Sequence, residues 1–230
     1  MNEPLKETKI GLSRRAMAKR AAQDLPDGAY VNLGIGIPEL IAEFIPSGRE
    51  VIFHSENGVL GFTSVPSGGA MDRDLINAGK KPIATLPGAS FFHHADSFSM
   101  IRGGHIDFCF LGAMQVASNG DLANWSTGAT DAVPAIGGAM DLVAGARTIV
   151  VLTEHVTSKN EHKLLHRCTY PLTGISAVSR VITNFGVFDI ENGHFVMREI
   201  ASGLDIEFVR SNTTTDLKID PSLVVMTNLD

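Results

Sequence analysis

The chain has 230 residues, 44% of them hydrophobic and 19% charged, with a formal net charge of −6 and two cysteines. A chain of this length and balance buries most of its surface in a single core, which excludes a disordered protein. The acidic balance excludes a nucleic-acid surface, which needs clustered Lys and Arg, and Cys109 and Cys168 stand too far apart for a disulfide framework or a thiolate metal site.

The N-terminus alternates charge through Glu3, Lys6, Glu7 and Lys9, without the apolar run of a signal peptide. No aliphatic stretch is longer than Ile149 to Leu152, far too short for a bilayer, so a cytoplasmic protein without membrane contact is expected. Ser13 is placed to cap a first helix whose apolar positions Met17, Ala21 and Leu25 recur every four residues. Arg14, Arg15, Lys19 and Arg20 read as its solvated face. Tyr30 to Leu33 predicts a strand, Gly34 to Ile37 a tight turn, and Pro38 the first position of a helix through Leu40, Ile41 and Phe44. Val51 to His54 predicts a second buried strand ending at Ser55-Glu56-Asn57-Gly58.

Residues 58–74, rich in Gly, Ser and Pro, read as a functional surface loop. Pro82 to Leu86 then reads as a strand, Pro87-Gly88 as a turn, Phe98 to Ile101 as helical, and Ile106 to Leu111 as a strand buried on both faces. Glycine loops follow at Ser118 to Gly120 and Ile136 to Gly138, the second leading into a short helix over Ala139 to Ala144. Thr148 to Thr153 predicts a central strand. Val181 to Asp189 and His194 to Ile200 flank Glu191-Asn192-Gly193, a hairpin signal, and the polar tail over 211–230 reads as an irregular cap. The alternation predicts one α/β domain over 1–230, with an open, mostly parallel sheet flanked by helices and finished by an antiparallel hairpin. Ligands bind such sheets beyond the carboxyl ends of the strands, where Ser55 to Gly58 falls.

Gly34-Ile35-Gly36 opens like a dinucleotide fingerprint, but Glu39 stands where the third glycine belongs and would set a carboxylate beside a pyrophosphate. No phosphate-binding GxxxxGK[ST] motif and no nucleophile elbow occur. His162 and His166, four apart, would share a helix face, but no glutamate follows His162 as a zinc protease requires, and no metal is expected. His93 and His94, near Asp96, Ser97 and Ser99, are candidates to line a pocket for an anionic substrate, or plain structural residues. Glu56 is either a charge in an Asn-Gly turn or a carboxylate held for attack on an activated acyl group.

Read together, Val31 to Pro38 and His54-Ser55-Glu56-Asn57-Gly58-Val59-Leu60-Gly61 resemble the paired signatures of family I CoA-transferase β subunits. Further blocks are similar in the same order: Leu75 to Lys80, Ile101 to Asp107, Gly120 to Trp125, Gly137 to Val143 and Cys168 to Gly174. The resemblance covers roughly residues 14 to 208. After Gly61 this chain departs from it, with Phe62-Thr63-Ser64-Val65-Pro66 in place of a nearby Gly-Pro pair.

The resemblance implies the ribose-phosphate-isomerase-like CoA-transferase fold and a catalytic glutamate at Glu56. It implies an oxyanion donor at the Gly138 N–H, with substrate contacts at Asn57, Gly36, His93, His94 and Asn124. Coenzyme A enters as a substrate, with no cofactor. The partner is a CoA-transferase α subunit, in a heterodimer or heterotetramer, and it supplies a second oxyanion donor. Phe92 to Met100 and Asn124 to Ala129 look more like the 3-oxoadipate branch than the acetoacetate branch. An acetoacetate or acetate/butyrate transferase, an acyl-CoA hydrolase on the same scaffold, and a non-catalytic ligand-binding domain are the alternatives.

Overall fold

The computed structural model describes residues 10–65, 68, 69, 71–129, 135–227 and 229. Its first element is helix α1, Arg14–Gln23, capped by Ser13, whose hydroxyl oxygen accepts from the Ala16 N–H and satisfies a donor of the open first turn. Met17, Ala21 and Leu25 are fully buried, the stripe predicted by their spacing. The basic face is not simply solvated. Arg14 and Arg15 pair with Glu154 and Glu43, and Arg20 is buried against Asp24 and Glu199. Two carboxylates offset the cost of desolvating that guanidinium.

Strands β1 (Ala29–Leu33), β2 (Val51–Ser55), β3 (Val59–Ser64), β4 (Ile83–Phe91), β5 (Phe108–Leu111), β6 (Gln115–Ala117), β7 (Leu122–Ala123), β8 (Thr148–Thr153), β9 (Leu164–Leu165), β10 (Val178–Thr183), β11 (Gly186–Glu191), β12 (His194–Ala201) and β13 (Leu217–Met226) follow along the chain. They are interleaved with a 3-10 helix (Ile37–Glu43) and with helices α2 (His94–Arg102), α3 (Ala139–Gly145) and α4 (Ile206–Ser211). Ten strands form one sheet in the order β13-β12-β11-β10-β8-β5-β1-β2-β3-β4, and β7-β6-β9 form a small second sheet. The centre, β10-β8-β5-β1-β2, is wholly parallel, as predicted for a βα alternation, and β8 lies inside it. Antiparallel strands β3 and β4 extend one side, while β11 and β12 form the Asn-Gly hairpin on the other.

The central strands send alternate residues to opposite faces, the period-2 geometry of a pleated strand. Phe110, Val150, Leu152 and Ile182 join α1 and the 3-10 helix in one core. Cys109, Leu111, Ile149, Val151 and Val181 join residues of α2, α3 and α4 in the other. Both faces are therefore covered, which explains near-continuous apolar runs in place of alternation. No helix among the described residues is long and apolar enough to cross a membrane.

Four sequence expectations need correction. Residues 59–64 are a strand, not part of a loop, because Val59 and Phe62 turn into the core while Leu60, Gly61 and Thr63 are half-buried. Pro87-Gly88 is not a turn between elements but a bulge inside β4: Leu86 to Ala89 stand opposite Gly61 alone, between the pairs Leu60↔Ser90 and Phe62↔Thr85. Val181 to Asp189 is two strands, β10 and β11, which reverse at Asn184-Phe185. Half of the polar tail is β13, which pairs parallel with β12 and hides Leu217 and Met226. Polarity concealed it because an edge strand buries few of its residues. It too bulges, with Asp220 to Leu223 opposite Arg198 between Met197↔Ile219 and Glu199↔Val224.

Candidate active site

At the end of β2 the chain reverses into β3 with Ser55 and Val59 in register, so Glu56, Asn57 and Gly58 are the hairpin loop. The Gly58 N–H donates to the Ser55 carbonyl at 3.0 Å and the Phe92 N–H to the Gly58 carbonyl at 3.0 Å. Gly58 has φ +112°, and a Cβ there would lie 2.2 Å from the Phe92 carbonyl oxygen, so both backbone conformation and space demand glycine. The loop is also braced from the Leu75 to Lys80 segment. Ser55 Oγ accepts from the Ala78 N–H at 2.9 Å, and the Asn57 side chain donates to the Ile76 carbonyl at 2.8 Å. Glu56 is thus carried on a turn held from two sides.

Its carboxylate lies half-buried against the glycine that enters α3. A Cβ on Gly138 would stand 2.2 Å from Glu56 Oε2 and 2.8 Å from Oε1, so any other residue at 138 would displace the carboxylate. Burial pushes the Glu56 carboxyl above its usual range; His94 draws it back and Asp141 pushes it further up. Asp141 is buried and paired with Arg102, which ties α2 to α3. Cys109 is fully buried, and burial first and then the Glu56 charge push its thiol up, leaving it a neutral apolar filler.

A cavity of about 460 Å³ opens beside Glu56, lined by Asn32, Gly34, Leu111, Asn124 and Gly138 among others. The structure therefore brings Glu56, Gly138 and Asn124 together. Asn124 is fixed by Thr173, whose hydroxyl donates to its Oδ1 at 2.6 Å, and its Nδ2 donates to the Gly112 carbonyl at 3.2 Å. Gly36, Asn57 and His93 do not line this cavity. The Gly36 N–H is taken by Glu39 Oε2 at 2.8 Å, a carboxylate also paired with Lys81, which fills the place a pyrophosphate would need. His93 caps α2, its Nδ1 accepting from the Ala95 N–H at 3.1 Å, which gives that nitrogen a structural role. His94 is exposed, packed edge-on against Phe98 at 4.7 Å, and acts on Glu56 through its charge. His162 and His166 lie on either side of β9, not on a helix.

Sequence reasoning passed over Asn32 and His54. They sit side by side on β1 and β2, in register, with Asn32 Nδ2 3.0 Å from His54 Nδ1, and His54 Nε2 2.9 Å from Ser97 Oγ of α2. The only sequence signal was polar residues, Asn32 and His54, in otherwise apolar strands. A second, larger concavity of about 560 Å³ lies on the α1 side, lined by Phe53, Phe62 and Leu86. Two of its charged groups are already occupied, Arg49 by the Leu25 carbonyl and Asp27 by the Glu50 N–H, so it is a weaker candidate for chemistry than the cavity beside Glu56.

The family description "Coenzyme A transferase" matches residues 14–212. The B-type subunit of the 3-oxoadipate CoA-transferase of Acinetobacter baylyi is 50% identical over 90% of this chain and 95% of its own. The B-type subunit of the probable succinyl-CoA:3-ketoacid coenzyme A transferase of Bacillus subtilis is 49% identical over 92% of this chain and 98% of its own. Among solved structures, an acyl-CoA transferase apoenzyme from Escherichia coli O157:H7 superposes with a TM-score of 0.74 at 19% identity, over 99% of this chain and 44% of that one. This chain thus spans less than half of that larger protein, and the likeness shows the shared fold.

Proposed function

Because the chain belongs to the coenzyme A transferase family, we propose that it is the glutamate-bearing subunit of a 3-oxoacid CoA-transferase, with Glu56 as the nucleophile. The observation that carries this reading is the Glu56 carboxylate, half-buried on a braced turn, resting on Gly138 and open to a cavity of about 460 Å³. Partial desolvation leaves the carboxylate more basic than an exposed one, which favours its attack on an acyl carbon.

The carboxylate adds to the thioester carbonyl of the donor acyl-CoA, and the CoA thiolate leaves to give a mixed anhydride. That thiolate attacks the glutamyl carbonyl and releases the donor acid, leaving a glutamyl-CoA thioester. The acceptor carboxylate then attacks this thioester to form a second anhydride, and the expelled thiolate takes the acceptor acyl group and frees Glu56. Each step passes through a tetrahedral oxyanion, for which the Gly138 N–H is the donor proposed on this chain. Binding energy from the remote CoA body drives the strained steps. Coenzyme A is a substrate here, and the scheme calls on no metal or redox cofactor.

Succinyl-CoA as donor and 3-oxoadipate as acceptor are the preferred pair, supported by relatives bearing that name. Of His93, His94 and Arg102, His94 is the preferred contact for the distal carboxylate, since His93 Nδ1 serves its cap and Arg102 pairs with Asp141. The relatives' designation as B-type subunits supports a partner of the α type, in a heterodimer or heterotetramer, and the reading puts the complex in the cytoplasm.

The test is to incubate the assembled complex with succinyl-CoA and search the Glu56 peptide for a CoA adduct by mass spectrometry. An unmodified peptide, together with a fully active Glu56→Ala variant, overturns the reading. CoA released at an undiminished rate without acceptor identifies a hydrolase instead. Turnover of acetoacetate well above that of 3-oxoadipate overturns the choice of acid alone.

A further inference from the structure

The cavity beside Glu56 holds a polar group that the transfer scheme leaves without a role. Asn32 is only 3% exposed, yet it lines the cavity. Its Nδ2 lies 3.0 Å from His54 Nδ1 and 3.2 Å from the His54 carbonyl oxygen. A carbonyl oxygen only accepts, so the amide atom facing both groups is the nitrogen, and both its hydrogens are spent on His54. His54 Nδ1 is then the unprotonated ring nitrogen, and the ring proton sits on Nε2, donated to Ser97 Oγ at 2.9 Å. The ring is neutral: burial lowers its pKa to about 4. With His54 1% and Ser97 0% exposed, the arrangement is sealed, and the ring is stacked on Phe92 at 6.0 Å. The plane of the Asn32 amide is thereby fixed. No described residue donates to its Oδ1, and that atom is not among buried groups lacking a partner, so it opens on the cavity.

We propose that His54 locks Asn32 as a hydrogen-bond acceptor facing the cavity, and that this acceptor receives an amide N–H of the pantetheine arm of CoA. The inference rests on the CoA-transfer reading. At neutral pH the exchanged acids present carboxylate and ketone oxygens, all acceptors, and have no donor to offer Oδ1. The CoA arm does, and its nearest amide N–H is two carbons from the sulfur that must reach Glu56. A fixed acceptor therefore does two things. It bonds the arm, and by facing oxygen with oxygen it disfavours an acid carboxylate in the arm's place. His54 is a positioning residue in this scheme: without its ring the amide keeps only the residue-54 carbonyl as a partner and is held less firmly with its oxygen toward the cavity.

The test compares succinyl-CoA with an analogue whose amide nearest the sulfur is an ester, in the complex with the α subunit. In the unsubstituted enzyme the ester lowers kcat/KM by about five- to tenfold, the worth of one neutral hydrogen bond. In Asn32→Ala the two substrates become equivalent, and in His54→Phe, where the residue-54 carbonyl still holds the amide nitrogen, the discrimination narrows; His54→Asn, which keeps an acceptor near the Nδ1 position, restores it. Full discrimination in Asn32→Ala or His54→Phe overturns the proposal. A measurement without substitution guards against misfolded variants: in the ¹⁵N-histidine spectrum His54 is the Nε2–H tautomer, and an Nδ1–H tautomer overturns the lock. An adduct on Glu56 with discrimination unchanged in the variants refutes the acceptor while leaving the transfer reading standing.

Discussion

At the scale of single residues, the site depends on glycine more than on charge. Gly138→Ala places a methyl 2.2 Å from Glu56 Oε2. It is expected to lower kcat by about a hundredfold or more through displacement of the proposed nucleophile, with the melting temperature preserved. The ionisation of Glu56 gives a second expectation. Burial lifts its carboxyl, so the acid limb of glutamyl-thioester formation should lie above the ordinary glutamate value of about 4.3. The charge of His94 opposes that rise, so His94→Gln should move the limb to higher pH in a rapid-quench pH series; an unmoved limb would separate His94 from Glu56. The same variant should raise KM for 3-oxoadipate more than for acetoacetate. Glu56 itself was legible only through the company of other blocks, because a glutamate before Asn-Gly is by default a turn residue, and it is one here. Asn32 and His54 were not legible, since nothing in either strand's own sequence announces a hydrogen bond between neighbouring strands.

At the scale of elements, the β2–β3 turn is the part whose shape the chemistry needs. Gly58→Ala meets both a positive φ and a backbone oxygen that cannot move aside. A loss of at least about 1–2 kcal/mol is expected in urea denaturation, with activity falling as the turn shifts. The elements read correctly were those whose signal is local: the Ser13 cap, the central strands at Val51 and Thr148, and the Asn192-Gly193 hairpin. Those misread owe their state to a neighbour. β3 holds glycine and serine but pairs on both sides with β2 and β4, and β13 is polar but finds β12. The capping role of His93, one of its two readings from sequence, becomes visible only once the helix start is known.

At the scale of the whole molecule, the sheet class followed from the βα alternation, but the charge ladder on its far side did not. Arg180 of β10, Asp189 of β11, Arg198 of β12 and Asp220 of β13 alternate in sign across four strands, with Asp24 of the α1 cap joined to Arg180. Burial pushes the Asp189 carboxyl up, but hydrogen bonds from Arg180 and Arg198 outweigh it and hold it below the usual range. A depressed carboxylate contributes stability that is present above its unfolded value, about 3.9, and lost as pH falls through the folded one. Asp189→Asn should therefore cost about 1–2 kcal/mol at pH 7, between the exposed and buried limits for ion pairs, and much less in acid. Urea midpoints at neutral and acid pH check this. The two outermost strands carry a further consequence. Each interrupts its hydrogen-bonding row with a proline, Pro87 in β4 and Pro221 in β13, within a four-residue bulge. The rims of this sheet are thus poor templates for a foreign strand, and the chain is guarded against polymerising with itself. Trimming Leu86 to Ala89 to a single residue should straighten the β4 rim, and sedimentation should then show self-association that grows with concentration.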